Sequence, residues 1–314
     1  MNRVQRPYNS LLPTLLGTLV VVAVIVVIGF VARPTRLGTT GQNAAIRVVA
    51  AENSWGSVAA QLGGDRVSVT NIINNPDTDP HDYEPTAADG RNVADARYII
   101  INGIGYDPWA DKLVAASNNS ATSLKIGDLV GIAPGGNPHR WYSPDDVAKV
   151  IERITNDYKK IDPADAAYFD RQKNVYETQS LKRYNSLVSE IKNKYAGVPV
   201  GASESIFSLL TPSLGLNLVT PKSFLTAMSE GTEPTATDKA AIDQQIKGKQ
   251  IKMYVYNNQN STPDVVRQVD EANAAEIPVI AITETLSPAG LSFQDWQTRQ
   301  LEALRDGLAK GTGR

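Results

Sequence analysis

The sequence predicts an α/β protein built as two lobes, each a parallel sheet flanked by helices, joined by one long rigid helix and preceded by an N-terminal transmembrane anchor. Three observations predict it. Short apolar runs of strand length alternate with amphipathic stretches of helix length through residues 46–126, and strands separated by helices pair in parallel. The same alternation returns from residue 198 to the carboxyl end. Between the two, residues 163–195 carry a spaced apolar stripe of Phe169, Tyr176, Leu181, Tyr184, Leu187, Val188 and Ile191. At 1.5 Å per residue that helix would extend on the order of 50 Å, wider than one small lobe, so it reads as a strut. A coiled coil fits less well, because the apolar spacing holds no strict heptad.

Taken in order, the amino terminus comes first. Arg3 and Arg6 precede residues 11–31, a nearly all-apolar run without charge, which is close to the roughly 20 residues needed to cross a bilayer and longer than a usual signal-peptide core. Phe30-Val31-Ala32 is a poor small-x-small cleavage site. An uncleaved membrane anchor over residues 1–32 is expected, with residues 33–43, rich in Gly and Thr, as a stalk. The flanking arginines are balanced, so charge alone does not orient it.

Strands are expected at 46–51, 67–73, 98–102 and 124–126, with helices at 54–62, 86–94 and 106–116. Ser143 caps a helix whose first turn holds Pro144, Asp145 and Asp146. Asp162-Pro163 breaks it and opens the long helix. Beyond Gly197, strands at 198–201, 251–256 and 277–282 alternate with helices at 205–214, 239–246, 263–275 and 295–309. The expected domains are therefore 44–162, the connecting helix 163–196, and 197–314.

Composition narrows the function. Of 314 residues, 42% are hydrophobic and 20% charged, as in ordinary globular proteins. A net charge of −2 argues against a nucleic-acid partner. The chain has no cysteine, which removes disulfides, thiolate metal sites and a lipidated-cysteine anchor.

It has two histidines. His81 stands in Asp79-Pro80-His81-Asp82-Tyr83-Glu84-Pro85-Thr86 and His139 in Asn137-Pro138-His139-Arg140-Trp141-Tyr142-Ser143-Pro144. The preceding prolines favour extended or turn backbone, so both rings belong on loops ahead of helices. A lone loop histidine is most often a solvated side chain; the repeated Pro-His context with a following aromatic favours a metal. The first of these loops follows the second strand, and ligands of parallel sheets bind beyond the carboxyl ends of strands.

These segments carry a family resemblance that covers nearly everything outside anchor and stalk. Gly64-Asp65-Arg66-Val67, the His81 segment, Asn102-Gly103-Ile104-Gly105, Asn137-Pro138-His139 with Trp141, Gly201-Ala202-Ser203-Glu204 and Thr283-Glu284-Thr285-Leu286 occur in this order. The chain resembles the metal-binding solute-binding proteins of ABC importers, the group that delivers zinc, manganese or iron. The resemblance implies one metal between two lobes, with His81 and His139 as ligands from the first and Glu204 and Glu284 from the second. It also implies a body on the extracytoplasmic side of the cell membrane and an ABC permease as partner; a monomer is expected. Family members often have histidine where Glu204 stands and aspartate where Glu284 stands, and the zinc importers' His- and Asp-rich loop is missing here.

Two imidazoles and two carboxylates form an N2O2 to N2O4 donor set. Zn2+ accepts it as a tetrahedron and Mn2+ accepts it with bidentate carboxylates. Both ions are retained as the transported ligand. Around the histidines, Asp82 is placed to orient the His81 ring, while Asp79 and Glu84 read as solvated charges. Trp55, Trp141, Tyr142 and Tyr256 read as core or as cleft wall, residues 257–260 as a polar turn, and Glu230 and Glu233 as capping or surface acids. A metal-dependent hydrolase is the alternative from another class, though four protein ligands leave catalytic zinc no open position and no His-Glu-x-x-His occurs. A surface adhesin of the same fold is the third reading.

Overall fold

The computed structural model describes residues 45–76, 78 and 80–314. The expected anchor and stalk lie outside the described residues, and no helix among those described is long and apolar enough to cross a membrane.

The first half holds β1 (Ile46–Glu52), α1 (Asn53–Gly63), β2 (Val67–Ile73), α2 (Ala87–Asp95), β3 (Tyr98–Ile101), α3 (Pro108–Ala116), β4 (Thr122–Lys125) and α4 (Ile126–Val130). The strands form one sheet in the order β2-β1-β3-β4, every pair parallel. Val48 of β1 sits opposite Val69 on one side and Tyr98 on the other. β3 is buried along its whole length, because helices cover both faces of a central parallel strand. At the sheet edge, the first four residues of β2 alternate between half-buried and exposed. The turn into α2 is set by a capping box, in which Thr86 accepts the Asp89 N–H at 3.3 Å and Asp89 accepts the Thr86 N–H at 2.7 Å.

α5 (Pro144–Ile161) follows, capped by Ser143 as expected. The connecting segment departs from the sequence reading. It runs as α6 (Ala166–Val175), a π turn over Tyr176–Ser180 and α7 (Lys182–Tyr195). The physical reason is spacing. Tyr176 and Tyr184 are both buried yet eight residues apart, which in a regular helix would drift about 80° around the axis. The wider π turn, closed by the Leu181 N–H donating to the Tyr176 carbonyl at 2.9 Å, absorbs the drift.

The second half holds β5 (Pro199–Ala202), α8 (Thr211–Leu214), β6 (Asn217–Leu218), α9 (Lys222–Ser229), α10 (Ala236–Lys247), β7 (Tyr254–Asn257), α11 (Pro263–Ala274), β8 (Val279–Ile282) and α12 (Phe293–Thr312). Its sheet order is β6-β5-β7-β8, again parallel throughout. The helix expected at 205–214 divides into a 3-10 turn, Ser205–Leu209, and the short α8. β6 and α9 were not among the expected elements.

The two sheets share one apolar core. A single buried cluster runs from Trp55, Trp141 and Tyr158 through Leu187 and Ile191 of α7 to Phe207 and Leu304. Smaller clusters around Ile99 and Trp109, and around Phe224 and Tyr254, sit apart from it, one in each half.

Candidate metal centre

Loops at the carboxyl ends of β3, β5, β7 and β8 converge on one cleft, as the topology of parallel sheets requires. Its construction begins with Asn102, just past β3. The Asn102 and Gly103 N–H groups donate to Asp107 at 2.7 and 2.6 Å, and Asn102 Oδ1 accepts the indole N–H of Trp55 at 3.0 Å. The same amide donates to the Pro138 carbonyl at 3.0 Å, which fixes the backbone entering His139. Gly103, Ile104 and Gly105 all take positive φ, at 74°, 64° and 91°. For a β-branched residue such as Ile104 that region is strained, and the surrounding hydrogen bonds hold it there.

His139 is 2% exposed and packs edge-on against Trp141, with ring centroids 5.5 Å apart. Asn137 decides its tautomer. The Asn137 amide nitrogen donates to the Ser205 carbonyl at 2.7 Å, so its oxygen faces His139 Nδ1, at 3.0 Å, as acceptor. Nδ1 therefore carries the proton. Nε2 points at Glu284 Oε1, 3.2 Å away. A bare imidazole nitrogen and a carboxylate oxygen are both electron-pair donors, so a proton or a cation must stand between them.

Glu204 follows β5 and is also 2% exposed. Asn257 Nδ2, at the end of β7, donates to Glu204 Oε1 at 2.8 Å and to Glu284 Oε2 at 3.2 Å. Asn260 Nδ2 donates to Glu204 Oε2 at 2.7 Å. One amide thus bridges two carboxylates that would otherwise repel. Burial, and then the charge of Glu284, push the Glu204 carboxyl above the usual glutamate range. Burial also pushes Glu284 up, but the hydrogen bond and charge of His139, helped by Tyr106 and His81, outweigh it and leave Glu284 below that range.

The backbone around Glu284 is held by side-chain amides. Gln300 accepts the Thr283 N–H at 2.8 Å, Gln259 those of Glu284 and Thr285 at 2.6 and 3.0 Å, and Asn53 that of Leu286 at 3.2 Å. Tyr142 completes the support by donating to the Thr283 carbonyl at 2.7 Å.

The donor atoms of His139, Glu204 and Glu284 lie within 4.8 Å of one another. An ion about 2 Å from each would ask this cluster to draw in by roughly 1 Å, and one imidazole with two carboxylates neutralises a divalent cation. The donors fit such an ion. His81 stands outside this group of three: its exposed ring lies edge-on to Tyr106 at 4.9 Å, while Tyr106 meets His139 at 5.9 Å. All four residues line one cavity of about 780 Å3.

The family model described as ZnuA, zinc-uptake complex component A, periplasmic, matches residues 48–307. The chain belongs to this family. The manganese-binding lipoprotein MntA of Halalkalibacterium halodurans is 27% identical over 154 residues, 47% of this chain and 51% of the relative; the chain thus spans about half that relative's length. The manganese ABC transporter substrate-binding lipoprotein PsaA of Streptococcus mitis is 22% identical over 320 residues, covering 94% of this chain and 99% of the relative. Among solved structures, a mutant Mn-bound periplasmic metal binding protein from Candidatus Liberibacter asiaticus has a TM-score of 0.70 at 19% identity, over 83% of this chain and 98% of that one. That likeness shows a shared fold.

Within this ZnuA-family fold, several sequence readings change. Residues 257–260, read as a polar turn, include Asn257, Gln259 and Asn260, the amides that hold both carboxylates and the Glu284 backbone. The available signal was their place directly after a strand of a parallel sheet, where ligand loops belong. Trp55, Trp141 and Tyr142 are core residues whose polar edges or ring faces also brace the site. Glu230 lines the cavity and Glu233 pairs with Lys239 on the surface. Asp82 and Glu84 are exposed, and Asp79 lies outside the described residues.

Proposed function

We propose that this protein is the extracytoplasmic receptor of an ABC importer, capturing one divalent transition metal, Zn2+ or Mn2+, in its cleft and passing it to a membrane permease. The observation that carries the reading is His139 Nε2 facing Glu284 Oε1 at 3.2 Å with Glu204 alongside: two lone-pair donors and a second buried acid, an arrangement that a divalent ion completes. His81 is the fourth ligand. It reaches the ion by a shift of its own side chain from its present exposed position, and Tyr106 already links its ring to that of His139. The names of MntA and PsaA, both manganese lipoproteins, support a metal cargo.

The two lobes are residues 44–162 and 197–314, with 163–196 between them. Four protein donors close the coordination sphere, which favours capture over hydrolysis. Those relatives are lipoproteins by name, and this chain has no cysteine to carry a lipid. The apolar residues 11–31 take over that role and hold the protein, as a monomer, at the outer face of the membrane.

The test is titration calorimetry of the full chain in detergent with Zn2+ and Mn2+, together with elemental analysis of protein taken from its native host. One ion per chain is expected, with tight binding lost in His139→Ala. Unchanged affinity in that variant, or no bound transition metal, overturns the reading.

A further inference from the structure

Gln259 uses its whole hydrogen-bonding capacity between two segments that come from different halves of the chain. Its Oε1 accepts the N–H groups of Glu284 and Thr285 at 2.6 and 3.0 Å. Its Nε2 donates to Thr285 Oγ1 at 2.9 Å and to the Pro76 carbonyl. A primary amide has two donor hydrogens and two acceptor lone pairs, so no capacity is left over. Its own N–H donates to Asn257 Oδ1 at 3.0 Å, the amide whose other end bridges Glu204 and Glu284. Pro76 lies at the start of the loop that carries His81, between β2 and α2.

From this geometry we infer that Gln259 is a positioning residue for metal affinity: it couples the loop bearing His81 to the segment bearing Glu284, so that His81 contributes to binding only while Gln259 holds its loop. The inference rests on the proposed metal reading of the cleft. Its physical basis is that β2, which leads into the His81 loop, belongs to the first sheet and β8, which leads to Glu284, to the second, so no sheet ladder joins the two segments. The Gln259 amide supplies that link directly. A bond to the Glu284 backbone alone would orient one carboxylate; the added bond to Pro76 ties that orientation to the segment leading to His81, which lines the same cavity.

A double-mutant cycle on the full chain tests it, with Zn2+ as the titrant. Gln259→Met keeps length and apolar bulk and removes both arms. It is expected to weaken Zn2+ binding about tenfold, as loss of a residue that orients ligands typically does, and to cost clearly less in a His81→Ala background. Gln259→Glu is the second variant: its carboxylate still accepts the two N–H groups and cannot donate to Pro76, and its effect should likewise shrink when His81 is absent. Thermal unfolding of the metal-free variants is read alongside, because a merely structural role lowers melting equally in both backgrounds and leaves no coupling in the affinities. Equal losses with and without His81, or wild-type affinity in both Gln259 variants, overturn the coupling. Failure of the wild-type chain to bind Zn2+ or Mn2+ would instead overturn the reading of the cleft.

Discussion

Asn53, the first residue of α1, accepts the N–H of Leu286 at 3.2 Å, two residues beyond Glu284. The contact belongs to a row. Ser57 Oγ accepts the Phe293 N–H at 2.9 Å, and Gln61 and Gln294 exchange amide hydrogen bonds at 2.9 and 2.7 Å. Positions 53, 57 and 61 are four apart and therefore share a helix face. The segment bearing Glu284 is thus held by the first half of the chain as well as by its own sheet.

Asn53→Leu should destabilise the metal-free protein by about 1–3 kcal/mol, since it leaves a buried N–H without an acceptor. Urea unfolding measures this. Gln61→Ala, at the half-buried end of the row, should cost less, and an equal cost at the two positions would contradict the role assigned to burial.

Asn257→Leu removes a donor shared by Glu204 and Glu284. Zn2+ affinity is expected to fall about 10–100-fold, read by competition against a chromogenic chelator. Wild-type affinity would show that the carboxylates hold their positions without it.

Zn2+ at a hundredfold excess over its dissociation constant should raise the unfolding free energy by about 2.7 kcal/mol, reversibly on adding a chelator. Differential scanning calorimetry reads this as a shift in melting temperature. The shift should vanish in Glu204→Ala; its persistence there would remove Glu204 from the ligand set.

Glu52 gives a pH dependence. It is buried next to Tyr106 and pairs, carboxyl to carboxyl, with Asp107. Burial, and then the charge of Asp107, raise its pKa well above the ordinary value of 4.5. Between that value and the raised one, the folded state binds more protons than the unfolded, so this residue's contribution to stability declines as pH rises from about 4.5 upward. Glu52→Gln should remove the decline. Its stability relative to wild type is expected to grow as pH rises above about 4.5 in urea titrations, and a difference independent of pH would mean Glu52 ionises normally.

Much of the fold was legible because its inner strands, β1, β3, β5 and β7, are buried on both faces. Runs such as Tyr98 to Ile101 show strand character without any help from tertiary context. His139, Glu204 and Glu284 were legible through the family resemblance, and they do come together. His81 was named with them; it lines the same cavity and stands outside that group of three. The π turn was not legible, since its signal is one extra residue between two buried tyrosines. Nor was the role of Asn257, Gln259 and Asn260. That role depends on β7 lying between β5 and β8, a neighbour relation that no local pattern encodes. Two-residue β6 is too short to register as a period at all.

The framework around Glu284 consists of uncharged amides, from Asn53, Gln259 and Gln300, and its partner carboxylate is steadied by Asn257 and Asn260. Dissolved salt screens interactions between charges and finds little to act on in such a framework. The shape of the binding site should therefore be the same in dilute and in brackish surroundings. Whatever salt dependence the protein displays would arise from the ion's own approach to its ligands, not from loosening of the scaffold that presents them.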